Sequence, residues 1–232
     1  MIRPETVRRI AALPNAGLLL SLLALVLLYP FLEPRPEGRA AIAIWDLLIL
    51  VLALRAASAT GPEHRIGYLL AIPAIALHVV ASFVPGPGWL QANFATQAMF
   101  HAFVCVCLLR YILRDEVMTL DELFAAAGCY VLMAFVFAYV YALVERYSPG
   151  SFAVASDTDP VLLTSWFELL YFSFTALTSV GFGDITPVNN HARSLVMIEQ
   201  MVGVLYLALI ISRLVALQAA RVRNEKRGTR NE

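Results

Sequence analysis

The residues that point to chemistry are Ser179-Val180-Gly181-Phe182-Gly183-Asp184. Two glycines spaced by one residue let alternate positions take left-handed backbone angles, so that successive carbonyls can all point the same way. One chain supplies a single row of such oxygens. Four chains around an axis would form stacked rings able to replace a dehydrated ion's water shell. Asp184 follows the last position of the row, where four carboxylates would concentrate cations at a mouth.

The elements that position this segment are set by composition. Of 232 residues, 60% are apolar and 15% charged, with a mean hydropathy of +0.73. A soluble domain is nearer half apolar and a quarter charged, so the chain reads as an integral membrane protein. Formal net charge is zero, which gives no indication of nucleic-acid binding. A bilayer core about 30 Å thick needs roughly 20 apolar residues of helix. Six stretches meet this: about 16–32, 40–59, 66–85, 89–113, 123–144 and 194–218. Pro34-Arg35-Pro36-Glu37-Gly38, Gly61-Pro62 and Pro85-Gly86-Pro87-Gly88 break the first from the second, the second from the third and the third from the fourth. Thr119-Leu120-Asp121-Glu122 opens the fifth as a capping box. Arg8 and Arg9 before Leu18–Leu28 resemble the start of a signal peptide, but Tyr29-Pro30-Phe31-Leu32 follows instead of a small-residue cleavage site. The first stretch is therefore expected to remain as a span.

With the N-terminus inside, one side of the membrane carries 13 basic residues and the other only Arg35, Arg39, Arg146 and Arg193. Both termini are expected in the cytoplasm, and the protein in the cell membrane. Val161–Val180 is also semi-apolar, yet a crossing there would put the basic cluster at 221–230 outside. A helix that enters and returns on one side removes the conflict. Irregular backbone at that depth is tolerated only where it is buried in protein or lines a water-filled path. Ser165-Trp166-Phe167-Glu168 is a second capping box and starts this helix, which stays apolar until Thr178. Its carbonyl end carries roughly half a negative charge and would favour a cation.

Trp166–Pro187 (WFELLYFSFTALTSVGFGDITP) resembles the pore helix and signature loop of potassium channels, and the likeness extends over roughly 119–218. The resemblance implies a homotetramer of this chain and three identical copies. Potassium would be the permeant ligand at Ser179, Val180, Gly181 and Phe182, with Gly183 completing the filter and no cofactor. It also implies that Asp184 bonds back to the pore helix, with Tyr171 the candidate partner. The sequence departs from the family twice. Ser179 stands where threonine is usual, keeping the hydroxyl without the stiffening methyl. Phe182 stands where tyrosine is usual, and lacks the hydroxyl that anchors the loop. These changes bear on rigidity and inactivation more than on selectivity. A non-selective monovalent cation channel is the alternative.

The implied architecture is an all-α membrane fold of six transmembrane helices plus a re-entrant pore helix and filter loop. It divides into a four-helix domain (1–118), a pore domain (119–218) and a short charged tail (219–232). Gly203 lies where the family often has a hinge in the inner helix, although close helix packing would also explain a glycine there. Val204, Leu207, Ile211 and Val215 follow at helical spacing as candidate cavity and gate residues. Glu199 is expected in the outer half of the sixth span, as a hydrogen-bonding group behind the filter or as an ion site. Asp46 in the second span calls for a partner in the bundle or a crevice.

The first four spans occupy the place of a voltage sensor, but no arginine or lysine occurs from Trp89 to Leu109. Arg110 and Arg114 fall at the cytoplasmic end. The 14 residues after Gln218 are too few to fold alone, so no ligand-sensing domain is expected among them. Cys105, Cys107 and Cys129 read as small buried hydrophobes. His78 and His101, on adjacent spans, raise a further reading, a haem-binding electron carrier, although their depths differ. No pattern supports catalysis, so no enzyme activity is expected.

Overall fold

The computed structural model describes residues 13–60, 64–83, 86–114, 119–154, 161–162 and 165–228. Arg3, Arg8, Arg9, Gly61-Pro62, Pro85 and the last four residues, which entered the reading of topology and breaks, lie outside the described residues. Helices dominate: α1 Pro14–Leu32, α2 Pro36–Thr60, α3 His64–Phe83, α4 Pro87–Arg114, α5 Leu120–Tyr147, α6 Trp166–Leu177 and α7 Asn190–Gly228. All except α6 are long and apolar enough to cross a membrane. Three short strands, β1 Phe152–Val154, β2 Val161–Leu162 and β3 Ile185–Pro187, form one antiparallel sheet in the order β2-β1-β3. The sequence reading did not anticipate this sheet.

The helix ends follow from local chemistry. At α5, Thr119 accepts from the Glu122 amide while Glu122 Oε2 accepts from the Thr119 amide at 2.8 Å, satisfying two otherwise orphaned donors. Pro36 stands at the first position of α2, where its missing N–H has no intrahelical partner to lose. That lets α2 begin well before the apolar run at residue 40.

Packing organises the chain around α5. Helices α1 and α4 both lie against it, α2 and α3 complete the front bundle, and α6 and α7 cover its other side. Leu132, Ala134 and Phe135 are buried where these layers meet. Polar contacts fix the position of α1 on α5. Asn15 Nδ2 donates to Asp121 Oδ2 at 2.6 Å, and the Tyr111 hydroxyl of α4 donates to the same oxygen at 3.2 Å. In the front bundle Trp45 donates to the Ser21 carbonyl at 3.1 Å, joining α2 to α1. The cysteines are unbridged; Cys107 and Cys129 are buried, and Cys129 Sγ lies 3.6 Å from the Cys105 carbonyl.

Candidate functional site

Helix α6 has 12 residues, about 18 Å at 1.5 Å per residue, little more than half a bilayer core. Ser165 caps it through the Phe167 and Glu168 amides, and Glu168 Oε2 accepts from the Ser165 amide at 3.1 Å. Trp166, half-buried, packs among Tyr29, Phe135 and Tyr139, while Phe167 stacks on Tyr29 with ring centroids 4.2 Å apart. Aromatic residues from α1 and α5 thus hold the start of the short helix.

At its other end the chain turns back on the helix. The Thr178 amide and hydroxyl both donate to the Phe174 carbonyl, at 3.1 and 2.7 Å. The Ser179 amide donates to Ala176 O at 2.9 Å, and the amides of Val180 and Gly181 converge on Thr175 O at 3.0 and 3.1 Å. Three N–H groups of the loop are therefore bound to the carbonyl end of α6. Ser179, Gly181 and Gly183 have φ of 58°, 54° and 81°, with Val180 and Phe182 between them outside the left-handed region. Alternating handedness is the backbone condition under which successive carbonyls can point the same way. The glycines made two of these positions legible in the sequence. The left-handed Ser179 was not, because a non-glycine residue there costs of order 1–3 kcal/mol and must be held by its surroundings. Residues 178–184 are exposed in the single chain.

The outer end of the loop is tied down twice. The Tyr171 hydroxyl donates to Asp184 Oδ2 at 2.8 Å, and this bond to a carboxylate raises the phenol's pKa above its ordinary value. Phe182 lies parallel to Tyr171, 6.5 Å between centroids. Directly after Asp184 the chain enters β3, whose Ile185, Thr186 and Pro187 pair with Val154, Ala153 and Phe152 of β1. Glu145 at the end of α5 supports that strand by accepting from the amides of Gly150 (2.6 Å) and Phe152 (3.0 Å).

Behind the loop, α7 and α5 close on α6. Gly203 is buried against the Leu177 carbonyl, and the Tyr130 hydroxyl donates to the same oxygen at 3.2 Å. Close packing of Gly203 on α6 is thus present. Glu199 is fully buried, with Tyr141 of α5 and Ser173 of α6 each hydrogen-bonded to one of its carboxyl oxygens. Tyr206 donates to Ala126 O at 2.7 Å and anchors the next turn of α7 to α5. Val204, Leu207, Ile211 and Val215 are exposed in the single chain, on the same helix. Reading from the sequence singled out none of Ser173, Tyr130, Tyr141 and Tyr206. Polar groups inside apolar helices at matching depth were the available signal.

The other polar residues of the spans lie elsewhere. Asp46, half-buried in α2, is within electrostatic range of Tyr29 and Tyr139. His78 has both ring nitrogens engaged, Nε2 on Ala43 O at 3.1 Å and Nδ1 on Gln97 Nε2 at 3.4 Å. His101 Nδ1 donates to Gln97 O at 2.8 Å, and its ring is enclosed by Phe100, Phe135 and Tyr139. His78, with both nitrogens so occupied, offers iron no free lone pair, which weighs against the haem reading. Among the described residues no group of three histidine, cysteine, aspartate or glutamate side chains is arranged to hold a metal ion.

Residues 127–218 match the family model Ion_trans_2, described as ion channel. That segment contains most of α5, the sheet, α6, the loop and α7 through Gln218. The match supports an ion channel family for this part of the chain. No curated protein matches the sequence.

Proposed function

We propose that this chain is one of four identical subunits of a potassium-selective channel in the cell membrane, with both termini in the cytoplasm. Helix α6 is its re-entrant pore helix, Ser179–Gly183 its selectivity filter and Asp184 its outer mouth. The observation that carries this reading is the alternation of left-handed residues at 179, 181 and 183 while the amides of Val180 and Gly181 are bound back to the Thr175 carbonyl. That geometry leaves the loop carbonyls as an uninterrupted row able to stand in for water around a dehydrated cation. One row is a quarter of a ring, and cyclic symmetry supplies the rest. The exposure of Val204, Leu207, Ile211 and Val215 on α7 is consistent with a cavity enclosed by four inner helices, whose apolar constriction can close by dewetting.

A non-selective cation channel would use the same scaffold with fewer ion sites. The complete Val180-Gly181-Phe182-Gly183 row favours potassium. Purified protein in liposomes should carry a potassium flux down its gradient, and the Gly181→Ala variant should carry none. Equal flux through both would remove the loop from the conduction path.

A further inference from the structure

Glu199, Ser173, Tyr141 and the Ala134 carbonyl meet where α7, α6 and α5 touch, and the hydrogen atoms available there can be counted. The Tyr141 hydroxyl has one proton and one acceptor, Glu199 Oε2. The Ser173 hydroxyl also has one proton but faces two acceptors, Ala134 O at 2.9 Å and Glu199 Oε1. Were Glu199 a carboxylate, one of those contacts would set two oxygen lone pairs against each other without a hydrogen between them. A proton on Glu199 removes the conflict. Glu199 then donates to Ser173, Ser173 donates to Ala134 O, and Tyr141 donates to the other carboxyl oxygen.

The surroundings agree. Glu199 is fully buried, and neither hydrogen-bond partner is a cation. An unpaired carboxylate without water or a cation costs several kcal/mol. Among the described residues, the titratable groups near this region include Tyr130 of α5, engaged with Leu177 O, Tyr206 of α7 itself, engaged with Ala126 O, and Cys129 of α5 beside Tyr206. On α6, Glu168 caps the helix start and Tyr171 is held by Asp184. None of them supplies a positive charge.

We propose that Glu199 is a neutral carboxylic acid whose proton completes a chain from α7 through Ser173 of α6 to the backbone of α5. It thereby acts as a positioning residue that fixes the back of the filter to the inner helix. The inference rests on the pore reading for its functional consequence, but not for the protonation state. Glutamine is the conservative replacement, because its NH₂ can donate to Ser173 while its carbonyl accepts from Tyr141. Alanine removes both contacts, and aspartate falls short by one methylene.

Two measurements on the assembled full-length protein test this. The infrared difference spectrum of wild type minus Glu199→Gln at neutral pH should contain a protonated-carboxyl C=O band, which shifts in the Tyr141→Phe variant. Its absence would overturn the protonated state. In bilayers, current through Glu199→Gln should decay as slowly as wild type, while Glu199→Ala and Glu199→Asp decay at least about tenfold faster. Raising the pH should hasten decay in wild type but not in Glu199→Gln. Decay in Glu199→Gln as fast as in Glu199→Asp would overturn the positioning role. Where Glu199→Ala does not assemble, the infrared band and the Gln–Asp pair decide the question. A wild-type protein that carries no potassium current refutes the pore reading, and the band then still decides the protonation of Glu199.

Discussion

A Cβ built on Gly203 would lie 2.2 Å from the carbonyl oxygen of Leu177 and 3.0 Å from its Cδ1. Helix α7 therefore touches the last turn of α6 through a backbone surface that no side chain can enter. Alanine at 203 would improve helix propensity by about 1 kcal/mol. Overpacking against a backbone atom costs about 1–3 kcal/mol, and here the atom cannot swing away. The Gly203→Ala variant should accordingly assemble less stably, with a lower thermal dissociation midpoint by native gel or light scattering. An unchanged midpoint would show that the contact relaxes without cost.

Gly181 presents the opposite case. Nothing lies within 4 Å of where its Cβ would be, but its φ is 54°. The penalty of Gly181→Ala is thus in the backbone, about 1–2 kcal/mol for an L residue forced into the left-handed region. The loop should reorient and conduction fall below detection, while tetramer mass and thermal stability stay near wild type. Loss of assembly together with loss of current would assign Gly181 a scaffold role instead.

The capping boxes at Thr119–Glu122 and Ser165–Glu168 and the paired glycines were legible because each is a local pattern whose physics involves neighbours in the chain. That Glu199 lies inside a long apolar helix was legible from hydropathy. Its partners were not, since Tyr141 is 58 residues away and Ser173 is 26 residues away. The packing of Gly203 was not legible, because its neighbour, Leu177, belongs to another helix. The β1–β3 pairing escaped notice because strands of two and three residues carry no periodicity. Ser179 adopts an angle its residue type disfavours, which sequence propensity predicts against.

Tyr171 and Asp184 join α6 to the far end of the loop. Removing that hydroxyl in Tyr171→Phe should hasten current decay several-fold without changing the permeant ion. The phenol's pKa is raised, so the bond is fully present below the ordinary phenol range near ~10 and is lost as pH rises through the higher value. Decay governed by this bond should therefore be flat between pH 6 and 9 in the Glu199→Gln background, where the Glu199 proton no longer contributes. Unchanged decay in Tyr171→Phe would show that Phe182 stacking and the β1–β3 pairing suffice.

Helix α4 carries no arginine or lysine from Trp89 to Leu109. Each charge moved through 100 mV contributes only about 2.3 kcal/mol, so steep gating requires several of them. Open probability, read from instantaneous currents, should vary shallowly with voltage. A conductance–voltage curve equivalent to several charges per subunit would require a sensor other than an arginine ladder in the front bundle.

An uninterrupted row of backbone carbonyls at residues 179–183 should select potassium over sodium, and the reversal potential measures that selection. Purified protein in a planar bilayer, with potassium on one side and sodium on the other, should reverse far from zero, at the potential set by a strong preference for potassium. A reversal potential near zero would contradict potassium selectivity and assign this scaffold to non-selective cation conduction.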